Sequence, residues 1–215
     1  MITMNEEEAV ARVIDDIRAV APEAEILMVD SSRDRTAEIA ESKGAKVIKQ
    51  FPPKGYGPAM DRVLRSAEGE VIVTLDCDGS YPAAMIPILA RYVAEDGFDL
   101  VDGARVSLGR KPAAMPWMNY LGNIGFGLVG SAMFFRRLPD LHSGMRAYRR
   151  KLIHSLKYDP RGAALPVELL TRPLKNGARL KVVPIEYHMR IGMSTMRPLQ
   201  SAWWTLRRLI GVRFS

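Results

Sequence analysis

Over the first hundred residues the apolar positions alternate between helical spacing and short β-rich runs. That is the pattern of an α/β fold with an open, mostly parallel central sheet flanked by helices. The first helix is predicted to begin at Asn5, whose side chain caps the next turn while Glu8 reaches back, and to bury Val10, Val13, Ile14 and Ile17. A strand from Glu25 to Val29, a helix from about Asp34, a strand from Lys46 to Lys49 and a helix after Gly57 follow. The run Val71 to Leu75 reads as a fully buried central strand, followed by a helix Ala83 to Val93 and a strand Phe98 to Val101. Met1-Ile2-Thr3 is a stub where this architecture wants a full first strand: either the sheet starts short or the chain is cut upstream.

Beyond residue 103 the pattern changes. Met115 to Phe135 is apolar but studded with Gly and Asn, a basic stretch follows, and a helix near Ala164 to Asn176 precedes a strand Arg179 to His188. The last segment is an amphipathic helix with Leu199, Trp203, Leu206 and Ile210 on one face. The 215 residues suit a single domain, with residues 1–102 as one functional half and 103–215 as the other.

Charge sharpens that division. Residues 1–102 carry 20 acids and 11 bases, a net of −9, whereas residues 103–215 carry 4 acids and 20 bases, a net of +16. An apolar content of 47% excludes intrinsic disorder, and the single cysteine, Cys77, excludes a disulfide framework or a multi-Cys zinc site. There is no signal-peptide pattern and no uninterrupted apolar run of about 18 residues, so a cytoplasmic location is expected.

Candidate chemistry concentrates at Leu75-Asp76-Cys77-Asp78-Gly79-Ser80, two carboxylates just past a strand. In open α/β sheets ligands bind beyond the carboxyl ends of strands, and alternate residues point the same way, so Asp76 and Asp78 converge. Two like charges held close call for a hard divalent cation such as Mg²⁺ or Mn²⁺, with a bound phosphate completing its shell. The plainer alternative is a solvated Asp-Gly turn. Asp30 ends another strand and suits a nucleotide base or ribose, while Asp34 reads first as a helix cap.

Seven motifs occur in order: Asn5-Glu6, Asp30-Ser-Ser-Arg-Asp34-Arg-Thr36, Lys54-Gly-Tyr-Gly57, Asp76-Cys-Asp78-Gly, Asp99-Leu-Val-Asp-Gly-Ala-Arg105, Ser143-Gly-Met-Arg-Ala147 and Arg190-Ile-Gly-Met-Ser194. In this the whole chain resembles the family-2 glycosyltransferases, and within them the dolichol-phosphate or polyprenyl-phosphate mannose and glucose synthases. The resemblance implies a GT-A fold and inverting, metal-dependent transfer of a hexose from a nucleotide-diphospho-sugar, of the GDP-mannose or UDP-glucose type, to a polyprenyl phosphate. Carried over by position, Asn5, Glu6, Asp30, Asp34, Lys54, Gly55, Asp76, Cys77 and Asp78 would line the nucleotide-sugar site. Asp76, Asp78 and Ser80 would stand beside the metal, and Asp76, Asp78, Arg105 and Arg190 would carry catalysis. Arg105, Ser143, Arg146, Arg190, Ser194 and Arg197 would engage the acceptor phosphate. The sequence departs from the family pattern at Thr3-Met4, at Ser80 and at Thr195, which bears on the sugar more than on the family.

A phosphate acceptor is already anionic, so it needs no general base, and His142, His154 and His188 are isolated. A sugar hydroxyl would need one, with Asp102 and Asp140 as the candidates. Gly125-Phe-Gly127-Leu-Val-Gly130 matches a dinucleotide fingerprint but follows no strand; its glycines suit close helix approach or an apolar helix pair bending along a membrane. Arg136, Arg137, Arg149, Arg150 and Lys151 flank this apolar stretch without any nucleic-acid motif. With Trp203 and Trp204 in the last helix, they point to an anionic membrane surface, and the alternative is a helix packed on the core with a solvated basic face. The expected picture is a peripheral enzyme on the inner face of the membrane, with a membrane subunit as a further expected partner. A family-2 enzyme acting on a soluble or cell-envelope saccharide and an inactive scaffold are the alternative functions.

Overall fold

The computed structural model describes residues 1–192 and 198–215. The short first segment is a strand after all: β1 (Ile2–Thr3) pairs in parallel with β2 (Leu27–Asp30), which pairs in parallel with β3 (Lys46–Lys49). A second sheet has the order β4 (Val71–Thr74), β6 (Arg146–Arg149), β5 (Leu100–Ala104), β7 (Leu180–Pro184). In it β6 runs antiparallel to both neighbours, while β5 and β7 are parallel. Strands from both sides of residue 102 share this sheet, so the charge division is not a division of the fold.

Helices cover both faces. On one, α1 (Val10–Val20) and α4 (Met85–Ala94) bury Val10, Ile14 and Leu89 against Met28 and Val101. On the other, α3 (Tyr56–Ser66), α6 (Arg150–Ser155) and α7 (Leu165–Lys175) bury Leu64, Ile153 and Leu165 against Leu100 and Tyr148. The remaining helices are α2 (Thr36–Ser42), which enters β3, and α5 (Trp117–Phe134) and α8 (Pro198–Phe214), which pack on each other.

Several expectations are corrected. The first helix starts at Val10 rather than Asn5, because Asn5 sits at φ 59° and its side chain accepts the Arg33 N–H at 2.9 Å instead of capping the helix. The run from Val71 is not fully buried: Val71 and Val73 are partly exposed, and among the described residues it pairs only with β6. The segment after Met115 is one helix, not a helix pair. In it Gly127 and Gly130 lie against the 138–141 loop, whereas Gly122 and Gly125 face open space. On α8 the face carrying Trp203, Leu206 and Ile210 is exposed, and Thr205, Arg208, Leu209 and Val212 are buried.

One buried carboxylate fastens α8 to the rest. Glu168 on α7, 1% exposed, accepts from Arg172 Nε at 2.5 Å and from Arg208 Nη1 of α8. Arg208 also donates to the backbone carbonyls of Asp159, at 2.9 Å, and Arg161. Removing the anion strands a buried guanidinium, so Glu168→Ala is expected to lower unfolding stability by about 3 kcal/mol in denaturant titrations. A loss below about 1 kcal/mol, the scale of an exposed pair, would contradict this packing.

Candidate active site

The chain leaves β4 through Leu75, Asp76, Cys77 and Asp78, then turns at Gly79, whose φ of 73° favours glycine. Alternation sends Cys77 into the core, 2% exposed, where burial pushes its thiol up to about 12; the side chain is thus not available to a nucleotide. Asp78 is held by Ser80, whose N–H donates to Oδ1 at 3.0 Å and whose hydroxyl donates at 2.5 Å. Ser80 is fully buried, so it orients Asp78 and does not face a metal.

The strand after α7 delivers the cation. His188 N–H donates to the Ser80 carbonyl at 3.0 Å and Ile191 N–H to the Asp78 carbonyl at 2.8 Å, laying residues 188–191 across the carboxylate turn. Arg190 then stands between two acids, Nη1 3.6 Å from Asp78 Oδ2 and Nη2 3.6 Å from Glu6 Oε1. Its Nε is buried and donates to none of the described residues. Glu6 is set by the turn that starts α1, where its carbonyl accepts the Ala9 and Val10 N–H groups, and by its own N–H on Thr36 Oγ1 at 2.9 Å.

Crowding of negative charge shows in the protonation equilibria. Burial, reinforced by the charge of Asp78, pushes the Asp76 carboxyl up to about 6 even though Arg105 and Arg190 pull it down. Burial likewise raises Glu6 to about 7, with Arg190 opposing and Asp78 and Asp76 adding. Gly144 is what makes room for Asp76, since a Cβ there would sit 2.7 Å from Asp76 Oδ2. Its N–H donates to Tyr81 Oη at 2.7 Å.

Arg105 leaves β5 beside this cluster. Asp140, fully buried, accepts from its Nε at 2.7 Å, its Nη2 at 2.9 Å and its backbone N–H at 3.0 Å, which leaves Nη1 outside the clamp. The guanidinium lies over Tyr187, 5.2 Å from the ring centre, and Tyr187 meets Tyr81 edge-on at 5.7 Å. Burial works against ionised Asp140, yet the Arg105 guanidinium holds its carboxyl below the usual carboxylate range. Tyr81, Gly144 and Tyr187 are the supporting residues that sequence reasoning missed; only Gly144 carried a signal, inside the Ser143 motif.

The other expected residues are placed as follows. Asn5, Asp30 and Asp34 organise the loop after β2: Asp30 accepts from Thr3 Oγ1 at 2.7 Å and from Ser32 Oγ at 2.5 Å, and Asp34 accepts the Thr36 N–H at 3.0 Å at the entry to α2. Lys54 is exposed on the loop before α3, beside Gly55 at φ 94°. Ser143 and Arg146 are corrected: both are 1% exposed, and Ser143 Oγ donates to the Gly103 carbonyl at 2.5 Å. Arg146 donates to Asp102 at 2.6 Å, to the Leu141 carbonyl at 3.0 Å and to the Pro166 carbonyl, so none of its nitrogens reaches the cleft for want of a partner. Asp102 and Asp140 are corrected as base candidates, since each is fully buried against an arginine. Ser194 and Arg197 lie outside the described residues.

Among the described residues no group of three or more His, Cys, Asp or Glu side chains converges as a metal cage. The donor set is two carboxylates whose mutual repulsion a hard cation relieves. Such a site binds a divalent ion when an oxygen-rich ligand, such as a diphosphate, supplies the rest of the shell.

Folded Glu6 holds a proton that an unfolded chain has released between pH 4.5 and about 7, so its contribution to stability is lost as pH rises through that window. In metal-free buffer the melting temperature of Glu6→Gln is therefore expected to gain on that of wild type from pH 4.5 to 7. A difference independent of pH would contradict the raised value.

Comparisons with known proteins identify the family of the chain. Residues 1–156 match the family model described as glycosyl transferase family 2. The chain is 40% identical over 199 residues to a dolichyl-phosphate hexose transferase of Haloferax volcanii, covering 92% of this chain and 85% of that protein. It is 29% identical over 189 residues to the dolichol-phosphate mannosyltransferase of Pyrococcus furiosus, covering 85% of this chain and about half, 52%, of that one. The fold is that of glucosyl-3-phosphoglycerate synthase from Mycobacterium tuberculosis, solved with Mn²⁺, UDP-glucose and phosphoglyceric acid. That match has a TM-score of 0.77 and 22% identity, and covers 99% of this chain and 77% of that one. A family match over most of the chain and a relative of this identity, joined to a GT-A fold, show that the chain belongs to glycosyltransferase family 2 and is a glycosyltransferase.

Proposed function

We propose that the protein transfers a hexose, with inversion, from a nucleotide-diphospho-sugar to a polyprenyl phosphate at the inner face of the membrane. The observation that carries this reading is the grouping of Asp76, Asp78 and Glu6 around Arg190 with Arg105 alongside. Asp76 and Asp78 would hold Mg²⁺ or Mn²⁺, which when bound would neutralise charge on the donor diphosphate. Arg190 stabilises the charge that grows on the departing nucleoside diphosphate. Arg105, presenting Nη1 outward from the Asp140 clamp, receives the acceptor phosphate. An anionic phosphate oxygen attacks C1 of the hexose, the bond from C1 to the diphosphate oxygen breaks, and the leaving group takes the electron pair. No proton has to move.

That balance favours a phosphate over a saccharide acceptor. A hydroxyl would require a base, and the carboxylates proposed for it, Asp102 and Asp140, are buried and paired. The 40% identical dolichyl-phosphate hexose transferase supports the same acceptor.

A lipid acceptor calls for a seat on the bilayer, and α5 and α8 have the surface for one. Trp117, Met118, Leu121, Leu128 and Val129 form an exposed stripe on α5, and helix residues 117–134 include no charged side chain. Trp203, Leu206, Ile210 and Phe214 are exposed on α8. Basic residues sit at the margins: Lys111 Nζ lies 5.2 Å over Trp117, Arg136 and Arg137 follow α5, and Arg213 lies 6.0 Å over Phe135. Apolar surface framed by cations suits anionic headgroups. No helix of the described residues is long and apolar enough to cross a membrane.

Purified protein with polyprenyl phosphate, Mn²⁺ and a labelled nucleotide-sugar is expected to form an organic-extractable product, and Asp78→Ala to lose about 100-fold or more. No extractable product with any of the common nucleotide-sugars would overturn the acceptor assignment. In flotation with anionic vesicles, wild type is expected to float and Leu121→Asp/Leu128→Asp to stay at the bottom with an unchanged circular dichroism spectrum. Equal behaviour of the two proteins would contradict the membrane seat.

A further inference from the structure

Between the exposed helices and Arg105 lies one half-buried imidazole. His142 is on the loop from α5 to β6, and it touches both helices: Nδ1 is 3.1 Å from Asn123 Oδ1 of α5 and Nε2 is 2.7 Å from Thr205 Oγ1 of α8. Phe126 of α5 meets the ring edge-on at 5.9 Å. Asn123 spends its amide N–H on the Asn119 carbonyl at 2.8 Å, so the oxygen faces the ring. A neutral imidazole protonated at Nδ1 donates to Asn123 and accepts from the Thr205 hydroxyl when that hydroxyl turns its one proton to the ring instead of to the Ser201 carbonyl, 2.8 Å away.

The backbone of the same residue reaches the site. His142 N–H donates to Asp140 Oδ1 at 3.1 Å, and that carboxylate is the one that clamps Arg105 through its backbone N–H, Nε and Nη2. One residue further, Ser143 Oγ bonds the Gly103 carbonyl at 2.5 Å, so residues 140–143 are stitched to the end of β5. The ring fixes this loop to two helices, and the loop fixes the carboxylate that aims the guanidinium.

We infer that His142 is a positioning residue, the pin through which α5 and α8 set the Asp140–Arg105 clamp. It touches neither donor nor acceptor. Its function is to hold Arg105 in register with the carboxylate cluster, and any shift of the two surface helices reaches Arg105 through it. The inference rests on the reading of Arg105 as the acceptor-phosphate residue.

Two measurements test it. In transfer assays His142→Ala is expected to raise the KM for polyprenyl phosphate about tenfold while the affinity for UDP or GDP with Mn²⁺ stays at the wild-type value. His142→Gln, which keeps a donor and an acceptor, should recover most of the loss, and adding Thr205→Val to His142→Ala should raise the acceptor KM no further, because the Thr205 contact with the ring is already gone and its other bond, to the Ser201 carbonyl, lies within α8. In hydrogen exchange, which needs no activity, His142→Ala should speed exchange at the Arg105 amide about tenfold and leave the Ile191 amide unchanged. An unaltered acceptor KM in folded His142→Ala, or a parallel loss of nucleotide affinity, would overturn the pin, as would unchanged Arg105 exchange. Wild type that makes no extractable product would overturn the acceptor reading instead, and the exchange experiment would still decide the pin.

Discussion

Carboxylate repulsion at the end of β4 is the constraint around which the site is built. Asp76 and Asp78 stand two residues apart in the chain, with Glu6 close enough to add to the field and Arg105 and Arg190 to relieve it. The backbone pays heavily in local geometry for this arrangement: a glycine turn at Gly79, a glycine at Gly144 to clear Asp76, and residues 188–191 bonded across the turn. Evenly solvated acids would need none of this. Under the proposed function, carboxylates held in this way would receive a cation carrying a diphosphate without reorganising.

Arginines divide accordingly into two kinds. Arg146 and Arg208 are consumed inside the fold, each paired with a buried carboxylate and bonded to backbone carbonyls. Arg105 keeps Nη1 outside its Asp140 clamp, and Arg190 is shared between Glu6 and Asp78 at 3.6 Å from each. The excess of base in the second half of the chain is thus not one field. Some of it is structural, as at Arg146 and Arg208, and some, as at Lys111 and Arg213, borders the exposed apolar faces of α5 and α8.

Much of this was legible in the residues. The α/β alternation and the Asp76 and Asp78 pair followed from periodicity, and Arg190 was named by the family resemblance. Strand β6 was hidden because Arg146-Ala-Tyr-Arg149 reads as a solvated basic stretch, and only the Asp102 partner, 44 positions earlier, makes a buried arginine tolerable. Arg146 and Ser143, which the family resemblance puts at the acceptor phosphate, are framework residues in the fold. The orientation of α8 was also out of reach, since its periodicity marks two faces without saying which one meets the protein. Arg208 decides it, by reaching Glu168 in the interior and turning Trp203, Leu206 and Ile210 outward.

Calorimetric titration of UDP and of GDP, with and without Mn²⁺, tests the central claim most directly. If the carboxylate pair is a seat for a metal-bound diphosphate, one of the two nucleotides binds in the presence of Mn²⁺ and that binding is lost when the metal is chelated. Equal affinity with and without metal, or no binding of either nucleotide, would contradict the account.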